Sequence, residues 1–344
     1  MFLASATVVV FTTMLAPVSA RAADHKIYGC TVISEPGNYV LATDIVVDTT
    51  CLNPDFPGSD DPPEPTGLVG ILVSASDVHL NLNGNTVYGD PAGYSEEFFA
   101  RGISTSAALQ SHVRITNGHV DGNGSLGRGI YIDVAKHVTI TGVESANNAG
   151  EGMLMAFCAA CTVNASTFRD NLGAGIQTVF AGDADSDDVS DGNLRLIGNE
   201  LTGSAFSNGI TIGFFGGPHE IIGNTISNNG FNGIAEFFSP EGGHIIRGNR
   251  IAANGFSGVR LCTNANTVQA NQVLDNGGNG IEIVGGFPCT FGPPGAGNLI
   301  QSNRAVGNLG FDAADVNAEC VNTWKANQFD TDSEGDGPRE GCIQ

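Results

Sequence analysis

A glycine followed by a short apolar run recurs nine times along this chain, at intervals of 22 to 34 residues. The runs begin at Gly70, Gly102, Gly129, Gly152, Gly175, Gly209, Gly233, Gly258 and Gly280. Within a run, apolar positions tend to alternate with other residues, which is the period of a β-strand that buries one face. A unit of this size cannot bury its apolar residues alone, so its regular return predicts a solenoid of stacked units.

Asparagine returns at one point of the later units, after a second short strand. These residues are Asn199, Asn224, Asn249, Asn271, Asn303 and Asn327. Stacked asparagines are expected to hydrogen-bond from one unit to the next, as identical side chains do in a ladder. Three short strands with a turn after each then make one coil. An antiparallel sandwich or barrel is the alternative all-β fold, but it does not require the same Gly and Asn at the same phase of every unit.

From Gly67 to Asn327 these repeats resemble the right-handed parallel β-helix repeat family, which includes NosD-like and pectate-lyase-like proteins. The resemblance implies an all-β fold, a single-stranded right-handed parallel β-helix or solenoid of about ten coils with capped ends. It is specific for the fold and weak for function, because this fold carries several activities.

The chain is predicted to divide into four segments. Residues 1–23 form a signal peptide, because residues 2–15 are apolar and uncharged but shorter than the roughly 20 residues of a membrane span. Residues 24–66 form an N-terminal cap with a Cys-stapled loop, 67–310 the parallel β-helix, and 311–344 a C-terminal cap in which Trp324 covers the open end. This division predicts a secreted, periplasmic or extracellular protein.

The eight cysteines fit that compartment, because an even number in an exported chain favours disulfides. Pairing sequence neighbours predicts Cys30–Cys51, Cys158–Cys161, Cys262–Cys289 and Cys320–Cys342. The Cys158-Ala-Ala-Cys161 segment has a redox or zinc half-site as its alternative interpretation. No second CxxC accompanies it, so a structural bridge is the prediction.

The charge balance excludes two classes of partner. The chain holds 36 acidic and 14 basic residues, for a net charge of −22. Nucleic acid and anionic membranes would repel such a protein. We predict a monomer that binds a polysaccharide or glycan and is not an integral membrane protein.

The third residue of each Gly run is expected to face outward. Stacking the coils places these residues in one row, which we call the outer stripe. The stripe comprises Leu72, Ser104, Tyr131, Leu154, Gln177, Thr211, Ala235, Arg260 and Glu282. The resemblance implies that β-helix enzymes bind polysaccharides along such a face and use carboxylates, Arg, Lys, His or Tyr as catalytic groups. The predicted catalytic residues are Asp133, Tyr131, Arg260, Glu236 and Glu282, and the predicted substrate-binding residues are Gln177, Thr211 and Tyr94.

These residue types fit two kinds of chemistry. A pair of carboxylates serves glycoside hydrolysis, whereas an Arg, Lys or Tyr base serves a lyase or epimerase that removes the proton next to a uronic carboxylate. The competing interpretation is an ordinary exposed solenoid face of mixed polar residues. Signature motifs of polygalacturonases and the Asp-Pro-His motif of alginate epimerases are missing.

Glu236 breaks the pattern of its strand. Strict alternation points this side chain into the solenoid, where a lone carboxylate is costly and has a raised pKa. Either the strand bulges and places Glu236 outside, or Glu236 is a functional acid. The bulge is the prediction.

An acidic insertion supplies the candidate metal site. Asp183, Asp185, Asp187 and Asp188 lie in one Gly- and Asp-rich segment, and Ca²⁺ takes six to eight oxygen ligands, often from carboxylates. Calcium is therefore the one predicted cofactor, with a solvated acidic loop that binds no metal as the alternative.

Together these observations predict a secreted carbohydrate-active β-helix protein, a polysaccharide lyase, hydrolase or epimerase that acts along the exposed solenoid face. The alternative is a non-catalytic cell-surface or periplasmic β-helix used for binding or assembly.

Overall fold

The computed structural model describes residues 24–51, 67–90, 100–179, 193–213, 217–237, 242–285, 295–317, 320–334 and 341–343. These residues form short β-strands and tight turns, with one 3₁₀ turn at Thr49–Cys51. Strands of successive coils pair in parallel, and the pairing divides them into three columns. No helix in this part of the chain is long and apolar enough to span a membrane.

The first column holds the glycine runs, and we call it the first sheet. Its strands are Thr31–Ile33, Val69–Val73, Arg101–Thr105, Gln110–Ser111, Arg128–Lys136, Glu151–Ala159, Ile176–Val179, Ile210–Gly213, Ile234–Phe237, Val259–Leu261, Ile281–Ile283 and Ala313–Asp315. Consecutive strands lie one coil apart, except Gln110–Ser111. This short strand pairs in parallel with the end of the strand Arg128–Lys136.

The other two columns follow in each coil and are joined by a sharp bend. The second column comprises His25–Ile27, Gly37–Leu41, Val78–Asn81, Arg114–Asp121, Thr139–Ala146, Thr162–Asn164, Arg195–Ile197, Glu220–Ile222, Ile245–Arg247, Thr267–Gln269, Leu299–Gln301 and Thr323–Lys325. The third comprises Ile45–Val47, Thr86–Gly89, Thr167–Arg169, Glu200–Thr202, Thr225–Ser227, Arg250–Ala252, Gln272–Leu274 and Arg304–Val306. The strands Arg114–Asp121 and Thr139–Ala146 run through both columns.

The interior is an apolar ladder. Inward residues of the first sheet stack in register as Ile103, Ile130, Met153, Ile176, Ile210, Ile234, Val259 and Ile281. All of them are buried, and burying each such side chain contributes roughly 1.5–3 kcal/mol. The glycine before each ladder residue also faces inward, because a Cβ at Gly129 would collide with Ser145 and one at Gly102 with Val120.

The predicted asparagine ladder is confirmed. Asn199, Asn224, Asn249, Asn271, Asn303 and Asn327 follow one another in the bend between the second and third columns. From Asn224 onward, each Oδ1 accepts the backbone N–H and the Nδ2 of the asparagine one coil earlier, at 2.8–3.1 Å. The ladder thus satisfies backbone groups that the bend would otherwise leave buried without partners.

Parallel pairing is found on both sides of residues 67–310. The strand His25–Ile27 pairs with Gly37–Leu41, and the strand Thr31–Ile33 pairs with residues 71–73. Pairing also continues beyond residue 310 through Ala313–Asp315 and Thr323–Lys325. At that end Trp324 is buried in the core, and its Nε1 donates to Asp315 Oδ2 at 3.1 Å.

Three of the four predicted disulfides are confirmed: Cys30–Cys51, Cys158–Cys161 and Cys320–Cys342. Cys262 is also disulfide-bonded, while its predicted partner Cys289 lies outside the described residues. The bridge at Cys158–Cys161 is the predicted structural one. Disulfides of this number are typical of an oxidising compartment.

Candidate active site

The residues of the predicted stripe lie in register from coil to coil, but Leu72, Ser104, Leu154, Thr211 and Ala235 are buried. Tyr131 pairs with Ser104 and Leu154, and the row continues through Gln177, Thr211, Ala235, Arg260 and Glu282. Asp133 lies two residues beyond Tyr131 on the same outer side and pairs with Ala156. The structure divides the predicted residues of this face into two groups rather than one.

The first group includes two arginines that were not predicted. Arg101 pairs in register with Arg128, and Arg128 pairs with Glu151. The Arg128 Nε donates to Glu151 Oε2 at 3.2 Å. A signal for both arginines exists in the sequence, since Arg-Gly-Ile occurs at residues 101–103 and again at 128–130. Residues at the same phase of adjacent coils become neighbours, so this repeated tripeptide places two guanidinium groups side by side.

Both guanidinium groups surround Tyr131. The Cζ of Arg101 lies 3.9 Å from the centre of the Tyr131 ring, and that of Arg128 lies 5.3 Å from it. These distances are within the range of cation–π attraction. Arg101 is only 8% exposed, so its charge acts in an environment where it is weakly screened.

Tyr131 also hydrogen-bonds to the carboxyl group of Asp133. The backbone of Asp133 is held in place by Thr105, whose Oγ1 accepts the Asp133 N–H at 2.7 Å and donates to the Asp133 carbonyl at 2.9 Å. Thr105 belongs to the strand that begins with Arg101, so one strand positions both the arginine and the carboxylate. The cluster of Arg101, Arg128, Tyr131 and Asp133 is the candidate active site.

Burial shifts the protonation equilibria of this site. It raises the pKa of Asp133 above its ordinary value, and the charge of Arg101 partly opposes that rise. Burial, with a smaller contribution from Asp133, raises the pKa of Tyr131. Burial also lowers the pKa of Arg101 to about 10. Perturbed carboxyl and phenol groups beside cations are typical of catalytic sites.

The second group lies far along the same face. The Nε of Arg260 is 3.3 Å from Glu282 Oε1, and Asn279 Nδ2 donates to Glu282 Oε2 at 2.6 Å. Five coil steps separate Arg260 from Tyr131, which is about 24 Å at the usual strand spacing. Arg260 and Glu282 therefore do not share one reaction centre with Asp133.

Gln177 and Thr211 occupy the row between these groups. Gln177 is half-buried, whereas Thr211 is buried. The Oγ1 of Thr211 accepts a hydrogen bond from Asn208 Nδ2 at 3.0 Å. Tyr94 lies outside the described residues.

The predicted bulge at Glu236 is wrong. Glu236 pairs in register with Ile212 and faces inward, where it is 1% exposed. Its Oε2 accepts the backbone N–H groups of Cys262 and Thr263 at 2.6 and 2.9 Å, and its Oε1 accepts the Thr263 hydroxyl at 2.9 Å. The strand keeps its alternation because these three donors replace the water that the carboxyl group loses.

A buried histidine faces Glu236. The Nε2 of His244 lies 3.6 Å from Glu236 Oε1, and its Nδ1 accepts the backbone N–H of His219 at 3.1 Å. Neutral His244 therefore carries its proton on Nε2, the atom directed at the carboxyl group. Burial raises the pKa of Glu236 to about 7, and the three hydrogen bonds oppose a larger rise.

Glu236→Gln is expected to change how stability depends on pH. Because the folded-state pKa is raised, the stabilising contribution of protonated Glu236 is present below the unfolded pKa of 4.5 and is lost as pH rises through about 7. The variant, which stays neutral, should gain up to roughly 3 kcal/mol relative to wild type between pH 5 and 8. Thermal unfolding of both proteins across this range measures the difference, and a constant difference would contradict the assignment.

The proposed calcium ligands Asp183, Asp185, Asp187 and Asp188 lie outside the described residues. Within the part of the chain that the structure describes, no group of three or more His, Cys, Asp or Glu side chains is arranged to hold a metal ion. Calcium thus stays a prediction.

Comparison with known proteins supports this architecture. A family model described as a right-handed β-helix region matches residues 178–305. The protein is a right-handed parallel β-helix. Among curated proteins, no sequence matches it.

Several solved structures share this fold. The A-module of the Azotobacter vinelandii mannuronan C-5 epimerase AlgE4 has a TM-score of 0.60 at 14% identity, over 85% of this chain and 86% of that one. A mutant of the periplasmic alginate epimerase AlgG has a TM-score of 0.56 at 15% identity, over 88% and 72%. The Dettilon tailspike protein has a TM-score of 0.50 at 16% identity, over 90% of this chain and 61% of that one. Identities this low establish the shared fold alone.

Proposed function

We propose that this protein is an exported enzyme that removes the C5 proton from uronic acid residues of a polysaccharide, as a lyase or an epimerase. The observation that carries the proposal is the hydrogen-bonded Tyr131–Asp133 pair with the guanidinium of Arg101 3.9 Å from the tyrosine ring centre. The fold it shares with two alginate epimerases supports the same substrate class.

Each residue has a distinct role in this reaction. The guanidinium groups of Arg101 and Arg128 bind the uronic carboxylate and stabilise the negative charge that spreads onto it when the C5–H bond breaks. Ionised Asp133 takes the C5 proton as general base, and the Tyr131 hydroxyl acts as general acid. In a lyase the C4–O bond then breaks and its oxygen takes the Tyr131 proton. In an epimerase Tyr131 donates its hydroxyl proton to C5 on the opposite face, and exchange with solvent then removes the proton from Asp133 and restores that of Tyr131.

Glycoside hydrolysis is the competing chemistry. It needs two carboxyl groups roughly 5–9.5 Å apart across the scissile bond. Glu151, the carboxylate that contacts this cluster, is held by Arg128 at 3.2 Å, whereas proton abstraction requires Asp133 alone as the base. The two chemistries differ in their products.

Assays in heavy water with and without Ca²⁺ test the proposal. Polymannuronate, polygalacturonate and a neutral glucan are incubated with the full chain. A lyase releases unsaturated uronates that absorb in the ultraviolet, and an epimerase incorporates deuterium at C5. New reducing ends without unsaturation would indicate a hydrolase instead, and no change in any uronan would favour the non-catalytic binding protein.

A further inference from the structure

A second polar surface lies at the bend between the second and third columns, on the last four coils. Two rows of long side chains flank this bend. The first row is Arg247, Gln269, Gln301 and Lys325, and the second is Arg250, Gln272, Arg304 and Gln328, all in register from coil to coil. We call this surface the C-terminal furrow.

The residues between the two rows are small, so they do not project between the long side chains on either side. Gly248, Ala270, Ser302 and Ala326 occupy the turn position in the four coils, each with a positive φ of 54° to 65°. The buried asparagine ladder lies directly beside them. The same bend three to six coils earlier lines an open pocket of about 390 Å³ at Gly84, Asn117, Gly142 and Ala165 among others. In the last four coils the small turn residues leave a strip between the two rows that runs parallel to the solenoid axis.

The charge of the furrow is opposite to that of the protein. The whole chain carries −22, yet neither row holds a carboxylate and together they hold four cations. Arg247, Arg250, Arg304 and Lys325 are exposed. Arginines elsewhere, such as Arg128, Arg169 and Arg195, are paired with carboxylates, whereas these four form no ion pair within the described residues.

We infer that the C-terminal furrow binds a linear anionic polysaccharide that lies along the solenoid axis. Successive coils are about 4.8 Å apart, close to the length of one sugar residue in an extended chain. The cations then meet the carboxylates of a uronan. The four glutamine amides, which both donate and accept, meet its hydroxyl groups.

Other polyanions fit the furrow less well. Proteins that hold single strands of nucleic acid stack the bases on aromatic side chains. Neither row contains an aromatic residue. An anionic membrane would meet a broad face of this acidic protein and be repelled.

The furrow is separate from the candidate active site, which lies on the first sheet in earlier coils. A polymer held in the furrow would keep the enzyme attached to its substrate and raise the local concentration of chain ends and segments at Tyr131 and Asp133. This consequence rests on the proposed function, whereas binding in the furrow does not.

The test compares polymer binding by two variants of the full chain. The triple variant Arg247→Gln, Arg250→Gln and Arg304→Gln extends the glutamines already present in both rows, so the coils should stay folded, and circular dichroism and thermal unfolding check this. Arg195→Gln is the matched control, because Arg195 lies in the second column but is paired with Glu220 at 2.9 Å. All proteins carry Asp133→Asn so that the polymer stays intact.

Isothermal titration with polymannuronate should show binding that weakens as salt increases. The triple variant should bind roughly tenfold more weakly and lose most of its salt dependence, while the Arg195 control matches the parent. Equal affinity of the triple variant and the parent, or no binding by the parent, would overturn the inference. Tighter binding of an oligothymidylate or of anionic vesicles, abolished by the same substitutions, would also overturn it.

Kinetic assays of proteins that retain Asp133 separate this inference from the proposed function. The triple variant should raise KM for the polymer several-fold and leave the turnover of short oligouronates unchanged. Absence of any turnover would contradict the proposed function while the binding data still decide the furrow.

Discussion

Asp133→Asn is expected to lower kcat/KM for a uronan by about a thousandfold, since a positioned acid or base contributes roughly 10²–10⁴ in rate. Asparagine keeps the size of the side chain and can still accept the Tyr131 hydroxyl, but it cannot take a proton. The measurement is the initial rate of unsaturation or of deuterium incorporation at C5. Melting temperatures of variant and wild type should agree, because Asp133 is only partly buried.

The pH profile gives an independent reading of the same residue. Because burial raises the pKa of Asp133, activity that requires its ionised form should rise with pH at values above the ordinary aspartate range. This acidic limb should vanish in the residual activity of Asp133→Asn. Arg195→Gln, at an exposed ion pair outside the site, serves as the control for substitution itself. An unchanged rate in Asp133→Asn would rule out Asp133 as the base.

Asn249→Ala is expected to destabilise the fold by about 4 kcal/mol, because it leaves buried polar groups without partners. The Oδ1 of Asn249 accepts two donors of Asn224 at 2.8 and 3.0 Å, and its Nδ2 donates to Ile221 O and Asn271 Oδ1 at 2.9 and 3.0 Å. Alanine removes all four bonds at the centre of the ladder. The melting temperature should fall by roughly 8 °C.

Asn38→Ala is the matched control. Asn38 lies half-buried in the strand Gly37–Leu41 and outside the ladder, so its loss should change stability by no more than about 0.5 kcal/mol. Thermal unfolding compares the two variants, and hydrogen exchange locates the effect. In Asn249→Ala, protection should be lost first in the coils on either side of residue 249. Equal melting temperatures for both variants would show that the ladder does not stabilise the solenoid.

Much of the active-site face was predictable because the repeats carry its geometry. Residues at one phase of successive coils must become neighbours, and this placed Tyr131, Gln177, Thr211, Arg260 and Glu282 in one row. The same logic was available for Arg101 and Arg128 through the repeated Arg-Gly-Ile. The pairing of Arg101 with Arg128 was not predicted, because the outer stripe includes only the residue after each isoleucine. These two arginines come before the glycine.

Glu236 shows why alternation alone was not enough. Its strand predicts an inward side chain, but the cost of burying a carboxyl group favoured a bulge. The outcome depended on Cys262 and Thr263 one coil later, whose backbone N–H groups compensate that cost. Such donors cannot be identified from the strand itself, because the turn that presents them has no repeat signature.

The periodic glycines, apolar positions and asparagines are sufficient to establish the parallel β-helix, its ladder and the direction in which most side chains point, since each follows from stacking one coil on the next. Only the tertiary structure decides which charges meet. Coils differ in length, from 22 to 34 residues between glycine runs, so the neighbours of a side chain depend on where each extra segment leaves the coil. That is why the phase shared by Arg101, Arg128 and Tyr131 is readable from their repeated tripeptide, whereas the contacts of Glu236 with Cys262, Thr263 and His244 are seen only in the structure.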